Sequence, residues 1–141
     1  VVFAASVDLA AAPRAQWARV VDAYIRLAAP DLVVVEAQNM RFGPCAFVEG
    51  LVHGAAAARG IPCVQHVPRQ MHGACPGFGG HRANKKHGAD IVRALVADWW
   101  PLEVAQHARG RTDTFDAALF VLWHTRPADV RAAARDLHIG G

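Results

Sequence analysis

The 141-residue chain has only two lysines, one serine, one tyrosine and three cysteines. With Ser6 as the sole serine, there is almost no room for a serine nucleophile served by a nearby histidine. Cys45, Cys63 and Cys75 are odd in number and irregular in spacing. That argues against a disulfide scaffold and for a reducing, cytoplasmic or otherwise intracellular setting. No apolar run approaches the roughly 18 residues that a membrane-spanning helix needs, so no membrane partner is expected. The N-terminal stretch lacks the basic start of a signal peptide. The first residue is Val instead of Met, as in a processed chain or a fragment.

Hydrophobic residues make up 53% of the chain and charged residues 19%, which excludes a disordered tail. A single domain spanning residues 1–141 is expected, large enough to hold a core without disulfides or metals. The net charge of +3 is compatible with nucleic acid without requiring it. Thirteen of the fifteen cations are Arg, and the chain holds 29 Ala. A GC-rich coding background of this kind erodes Lys wherever Arg suffices. The adjacent Lys85 and Lys86 therefore stand out as a place where an ammonium is wanted.

The apolar pattern predicts alternating strands and helices. Val1 to Val7 reads as a strand, and Arg14 to Ala29 as an amphipathic helix broken by Pro30-Asp31. Leu32 to Val35 reads as a strand buried on both faces and ending at Glu36. Gly43-Pro44 opens a helix that Gly60 closes, with Phe47, Leu51, Gly54, Ala55 and Ala58 on one face. Ile61 to Val67 is a third strand. Pro68 to Ala83 reads as a glycine-rich basic loop, and Asn84 as the cap of the next helix. Residues 101–110 are ambiguous. Thr112 caps a helix with Phe115, Ala118, Leu119 and Leu122 inward, and Pro127 starts the last helix. The order implies an α/β domain with helices packed on a largely parallel sheet.

Function in such sheets gathers at the carboxyl ends of the strands. Glu36 sits there, after three consecutive valines, where a carboxylate is costly unless paired or holding a cation. Asp113 and Asp116, three apart on one helix face, repel each other and would welcome a metal or a cationic partner. Asp in a first helical turn is also favoured by the helix dipole alone. Hard oxygen ligands of this type suit Mg²⁺, with Mn²⁺ able to substitute. Lys86 or Lys85, opening a helix after the basic loop, is placed to neutralise charge on a phosphate.

Val33-Val34-Val35-Glu36-Ala37-Gln38 resembles the strand-Glu-x-Gln motif of the RuvC-like Holliday junction resolvases, poxvirus branch. Phe47, Gly50 and Leu51 fall in a helix like that family's next one. Lys85-Lys86 resembles its Lys pair, and Arg111-Thr112-Asp113-Thr114-Phe115-Asp116-Ala117 resembles its closing D-x-x-D helix. The similarity runs from about Trp17 to His124, and its specificity lies in the order of four individually weak motifs. The resemblance implies an RNase H-like three-layer fold with a mostly parallel central sheet flanked by helices. It implies a homodimer, viral in type, and Mg²⁺-dependent incision of four-way DNA junctions. Glu36, Asp113, Asp116 and Asp8 would hold metal, with Lys86 or Lys85 at the scissile phosphate. Lys85, Arg69, Arg82 and Arg41 would contact DNA, and Phe47, Leu51 and Gly54 a second copy.

The sequence departs from the family at its first Asp, which should sit on a first strand and be followed by Gly, Asn and a hairpin. Asp8 is followed by Leu9-Ala10 and lies only 28 residues before Glu36. Either Asp8 is that Asp and the hairpin is missing, or Val1 to Leu9 is the family's third strand and the hairpin strands lie upstream. The position of Trp17 and the spacing to Glu36 fit the second better. Other chemistries compete. A catalytically incomplete domain could bind branched DNA without cutting it. His66, His72, Cys75, His81 and His87 offer zinc-type donors but no CxxC or HxxxH spacing. Cys45 at a helix N-terminus, with His53 or His66 as base, would suit a cysteine hydrolase. Gly77-Phe78-Gly79-Gly80 lacks the preceding strand of a dinucleotide fingerprint.

Overall fold

The computed structural model describes residues 4–37, 43–106 and 113–140. The fold is mixed α/β and mostly helical, and the chain divides into two compact units. One comprises Asp8–Val67, and the other Pro68–Gly141 together with Val1–Val7. No described helix is long and apolar enough to cross a membrane.

The first unit is a strand-helix-strand unit preceded by a helix. Trp17–Ala28 forms α1, entered through 3-10 turns at Leu9–Ala11 and Arg14–Gln16. Trp17, Val21 and Ile25 fall at four-residue spacing and are buried. The Trp17 indole donates to the Ala12 carbonyl at 3.1 Å and fixes the angle of entry. Ala29 closes α1 in the left-handed region (φ 44°). Pro30 disfavours the helical region for the residue before it, so α1 stops where the sequence breaks. Val33–Glu36 forms β1, Gly43–Ala58 forms α2 and Cys63–His66 forms β2. The strands pair in parallel, Val33 opposite Cys63 and Glu36 opposite His66.

The end of α2 follows the sequence closely. Gly60 takes φ +65°, its N–H donates to Ala57, and the Ile61 N–H reaches back to Ala56 at 2.9 Å. These two bonds are the Schellman pair that a glycine past a helix end makes possible. The β1 expectation fares less well, since Val33 to Glu36 are half-buried instead of buried on both faces. Among the described residues the sheet has two strands. Among those residues each strand is an edge, and burial on both faces requires packing over both sides of the sheet.

Among its described residues the second unit packs five helices: Pro68–Ala74 (α3), His81–Leu95 (α4), Trp100–Val104 (α5), Asp113–Thr125 (α6) and Pro127–Gly140 (α7). Ile91, Val92, Phe115, Leu119, Phe120, Val130 and Ala134 are among the buried residues of α4, α6 and α7. Gly88 lets α4 and α6 approach, since a Cβ there would stand 3.0 Å from Leu119 Cδ2. The Thr114 hydroxyl donates to the Leu102 carbonyl and ties the start of α6 to α5.

Two expectations fail in this unit. Ala4 to Val7 forms no strand, and residues 1–3 lie outside the described set. Ala4-Ala5-Ser6 offers a pleated surface little to pack, which leaves Val7 alone in that stretch as a β-former. Pro68 to Ala83 is also not one long loop. Pro68 starts α3 from the position where its missing N–H costs nothing, and Met71 anchors that helix, buried. Only residues 75–80 connect it to α4. Gly80, not Asn84, is the N-cap, and Asn84 from inside the first turn accepts from the Gly79 N–H at 2.7 Å.

Gly77 is the strained point of that connection, at φ +95° with His87 packed where a Cβ would lie, 2.5 Å from Nε2. We expect Gly77→Ala to cost about 1–3 kcal/mol from backbone strain alone, read as a lowered urea midpoint, while Gly79→Ala, with open space around it, shifts the midpoint little.

Candidate functional site

Within the second unit, α4 and α6 bring one lysine to two carboxylates. Lys85 lies one turn before Gly88, and Asp116 one turn before Leu119. The contact that joins Gly88 to Leu119 thus sets the two side chains facing. Lys85 Nζ donates to Asp116 Oδ2 and, at 3.5 Å, to Asp113 Oδ1. Asp116 is 21% exposed, Lys85 32% and Asp113 53%. The carboxylate pair therefore opens to solvent on its Asp113 side.

Burial would pull the Lys85 ammonium down, but hydrogen bonds and charge from Asp116 and Asp113 outweigh it and hold it above the usual lysine range. Burial pushes the Asp116 carboxyl up, against the hydrogen bond and charge of Lys85; Asp113 adds to the rise and His81 opposes it. The two directions differ in what wins: at Lys85 burial is outweighed by two carboxylates, whereas at Asp116 burial outweighs the one ammonium.

His72 of α3 belongs to the same surroundings, being within the field of Asp116. Its ring stacks on Phe78 with centroids 4.5 Å apart and planes at 17°, and Phe78 meets His87 edge-on at 4.8 Å. His87 Nε2 donates to the Pro76 carbonyl at 2.9 Å. Burial lowers the His72 pKa, with Asp116 opposing. A sequence reading that assigns His72 to a loop misses this. The signal was the Pro68 helix start, which places Met71 and His72 on a structured turn.

The other expected site residues fall as follows. Lys86 is 83% exposed and pairs with Asp90 one turn on, so Lys85 and not Lys86 meets the aspartates. The helical wheel holds that distinction, since Lys85 shares a face with Gly88, Ala89 and Val92, all buried. Glu36 ends β1 in register with His66, in the first unit. Asp8 is not on a strand; its Oδ1 accepts from the Ala10 N–H at 3.1 Å and caps the first 3-10 turn. Arg69 lies on α3 and Arg82 in the first turn of α4, neither in a long loop. Arg41, Gln38, Arg111 and Thr112 lie outside the described residues.

Leu51 and Gly54 line a groove of about 420 Å³ against α1, with Ala18, Arg19 and Asp22. Phe47 is exposed at one edge yet packs on Trp17, with the Arg14 guanidinium 5.3 and 5.8 Å from the two ring centres. Cys45 is exposed in α2, and His53 stands 3.9 Å from Glu49. Among the described residues no three His, Cys, Asp or Glu side chains gather as a metal-binding group.

The His72 shift sets a pH dependence. A histidine held below its ordinary value binds fewer protons folded than unfolded, so stability falls as pH drops below about 6.5. His72→Phe keeps a ring on Phe78 and removes the titration. Denaturant midpoints measured from pH 7.5 to 5 should fall less steeply for this variant than for the parent chain; parallel curves would count against the assignment.

No family model, no curated protein and no solved structure matches the chain.

Proposed function

We propose that the chain is a divalent-metal-dependent nuclease of RNase H-like type acting on branched DNA, with the four-way junction as substrate. One observation carries this reading. The resemblance pointed to a Lys pair and a D-x-x-D helix far apart in sequence, and Lys85 meets Asp113 and Asp116 side by side.

The donors fit a divalent cation in kind. Two hard carboxylates stand one turn apart on α6, partly shielded from water and already gathered around a positive charge. Asp113 and Asp116 would hold the ion; Glu36, which the resemblance also implies as a ligand, belongs to the first unit. Bound Mg²⁺ supplies an activated water and charge stabilisation at a phosphodiester. The chain's own residues supply the rest. Asp116 is held by burial against α4, so its position is set before anything binds. Lys85 brings a compact ammonium suited to a phosphate oxygen. Arg69 at the start of α3 and Arg82 at the start of α4 add positive charge, to hold a DNA backbone electrostatically.

A second reading has its own support: a domain that binds branched DNA without cutting it. Among the described residues the aspartates are occupied by Lys85 and do not form part of a three-ligand group.

Incubation of a labelled four-way junction and a matched linear duplex with Mg²⁺, Mn²⁺ or chelator separates the two. The nuclease reading expects paired, metal-dependent nicks in the junction alone. Asp116→Asn should abolish those nicks while junction binding in a gel-shift assay persists. Salt-sensitive binding without nicks supports the second reading, and neither binding nor nicks defeats both.

A further inference from the structure

We propose that Phe47 and Arg14 form a stacking platform for an unpaired nucleotide, and that the first unit binds single-stranded nucleic acid there. The inference stands on α1 and α2 and their approach turns alone, and goes beyond the function proposed above. Phe47 on α2 keeps 44% of its surface exposed while packing on Trp17, with ring centres 6.1 Å apart. The exposed Arg14 lies with its guanidinium 5.3 Å from the centre of the Trp17 ring and 5.8 Å from that of Phe47. Trp17 is itself buried and tied to the Ala12 carbonyl, so the ring and the cation are placed before anything binds.

The charges around the ring favour a polyanion. From Arg14 to Ala28 the chain holds three Arg and one Asp. That carboxylate, Asp22, is already held by Arg59 from just past the end of α2. Among the described residues neither Arg14 nor Arg19 forms an ion pair with a carboxylate. Leu51 follows Phe47 by one turn of α2, and Ala18 follows Arg14 by four residues; both line the groove of about 420 Å³ together with Arg19. Unpaired guanidinium groups therefore stand beside the ring and along the wall that leads from it. A guanidinium lying over rings engages them through its face and keeps its N–H edge for a phosphate.

Stacking selects among polyanions. An unpaired base offers a flat face to Phe47, whatever its identity. In a duplex that face is covered by the neighbouring bases, and an acidic peptide has none. Base and phosphate recur together along a single strand, which matches an aromatic ring with arginines running from it.

Fluorescence anisotropy of a labelled oligothymidine strand, titrated with the full chain at several salt concentrations, measures the binding. Oligouridine, an oligothymidine–oligoadenine duplex and oligoglutamate are compared with it, and the tighter of the two single strands names the sugar. We expect Phe47→Leu, which keeps an apolar side chain on Trp17 and removes the ring, to weaken the single strand about tenfold. Phe47→Tyr should retain the parent's affinity. Arg14→Gln should lower the slope of log affinity against log salt by about 0.7, the loss of one phosphate contact. Circular dichroism checks the fold of each variant; should Phe47→Leu unfold, the salt slope of Arg14→Gln, a change on an exposed side chain, decides.

Single-strand affinity unchanged in Phe47→Leu, or a salt slope unchanged in Arg14→Gln, overturns the platform. So does a Phe47→Leu loss that is equal for duplex or oligoglutamate, because the ring then reads no unpaired base. A dimer in sedimentation that Phe47→Leu disrupts, with strand binding unchanged, gives this face to a second copy and overturns the proposal too. The junction assay is read apart. Nicks without Phe47-dependent strand binding overturn this inference alone; Phe47-dependent strand binding in a chain that never nicks upholds it while the nuclease reading fails.

Discussion

The close approach of α4 and α6 at Gly88 is the constraint on which the candidate site depends. A Cβ there would press on the end of the Leu119 side chain at 3.0 Å, so hydrogen at this position gives the closest fit. With hydrogen in its place, the residues one turn earlier on each helix, Lys85 and Asp116, are brought within reach. Asp116 is partly desolvated by the same packing, and that is why its carboxyl rises even with a lysine beside it. Van der Waals contact at one level of the helix pair thus sets electrostatics at the next. Phe115 and Leu119 hold α6 from the core side, and Thr114 holds its start to α5 through a backbone carbonyl.

Helices with strong periodicity and explicit punctuation were legible. Trp17, Val21 and Ile25 marked α1, Pro30 its end, and Gly60 the end of α2, because each signal is local and sterically decisive. The parallel pairing of β1 with β2 was legible from the intervening helix. The extent of the sheet was not. A continuous apolar run such as Val33-Val34-Val35 records that a strand is favoured, not how many neighbours it has. The 68–83 segment reads as a loop on its glycine content alone. Pro68 is a helix opener and Met71 a buried anchor, and these outweighed Gly73.

Within the site, the types of the residues were readable and their pairing only in part. The Asp113–Asp116 spacing placed both on one face, as the contact with Lys85 requires. The choice between Lys85 and Lys86 turned on one position of helical phase. Lys85 follows the face of Gly88 and Val92, and Lys86 follows Asp90 on the solvated side. Asp8 illustrates the reverse. Its apparent place in a strand dissolved into a turn cap, a role that short acidic side chains take readily wherever backbone N–H groups lack partners.

The turn at residues 76–77 carries a chemical consequence for His87. A carbonyl oxygen only accepts, so the bond to Pro76 requires the hydrogen on Nε2. In the neutral ring the lone pair then resides on Nδ1. The tautomer of His87 is chosen by a proline, which contributes a carbonyl but no N–H of its own.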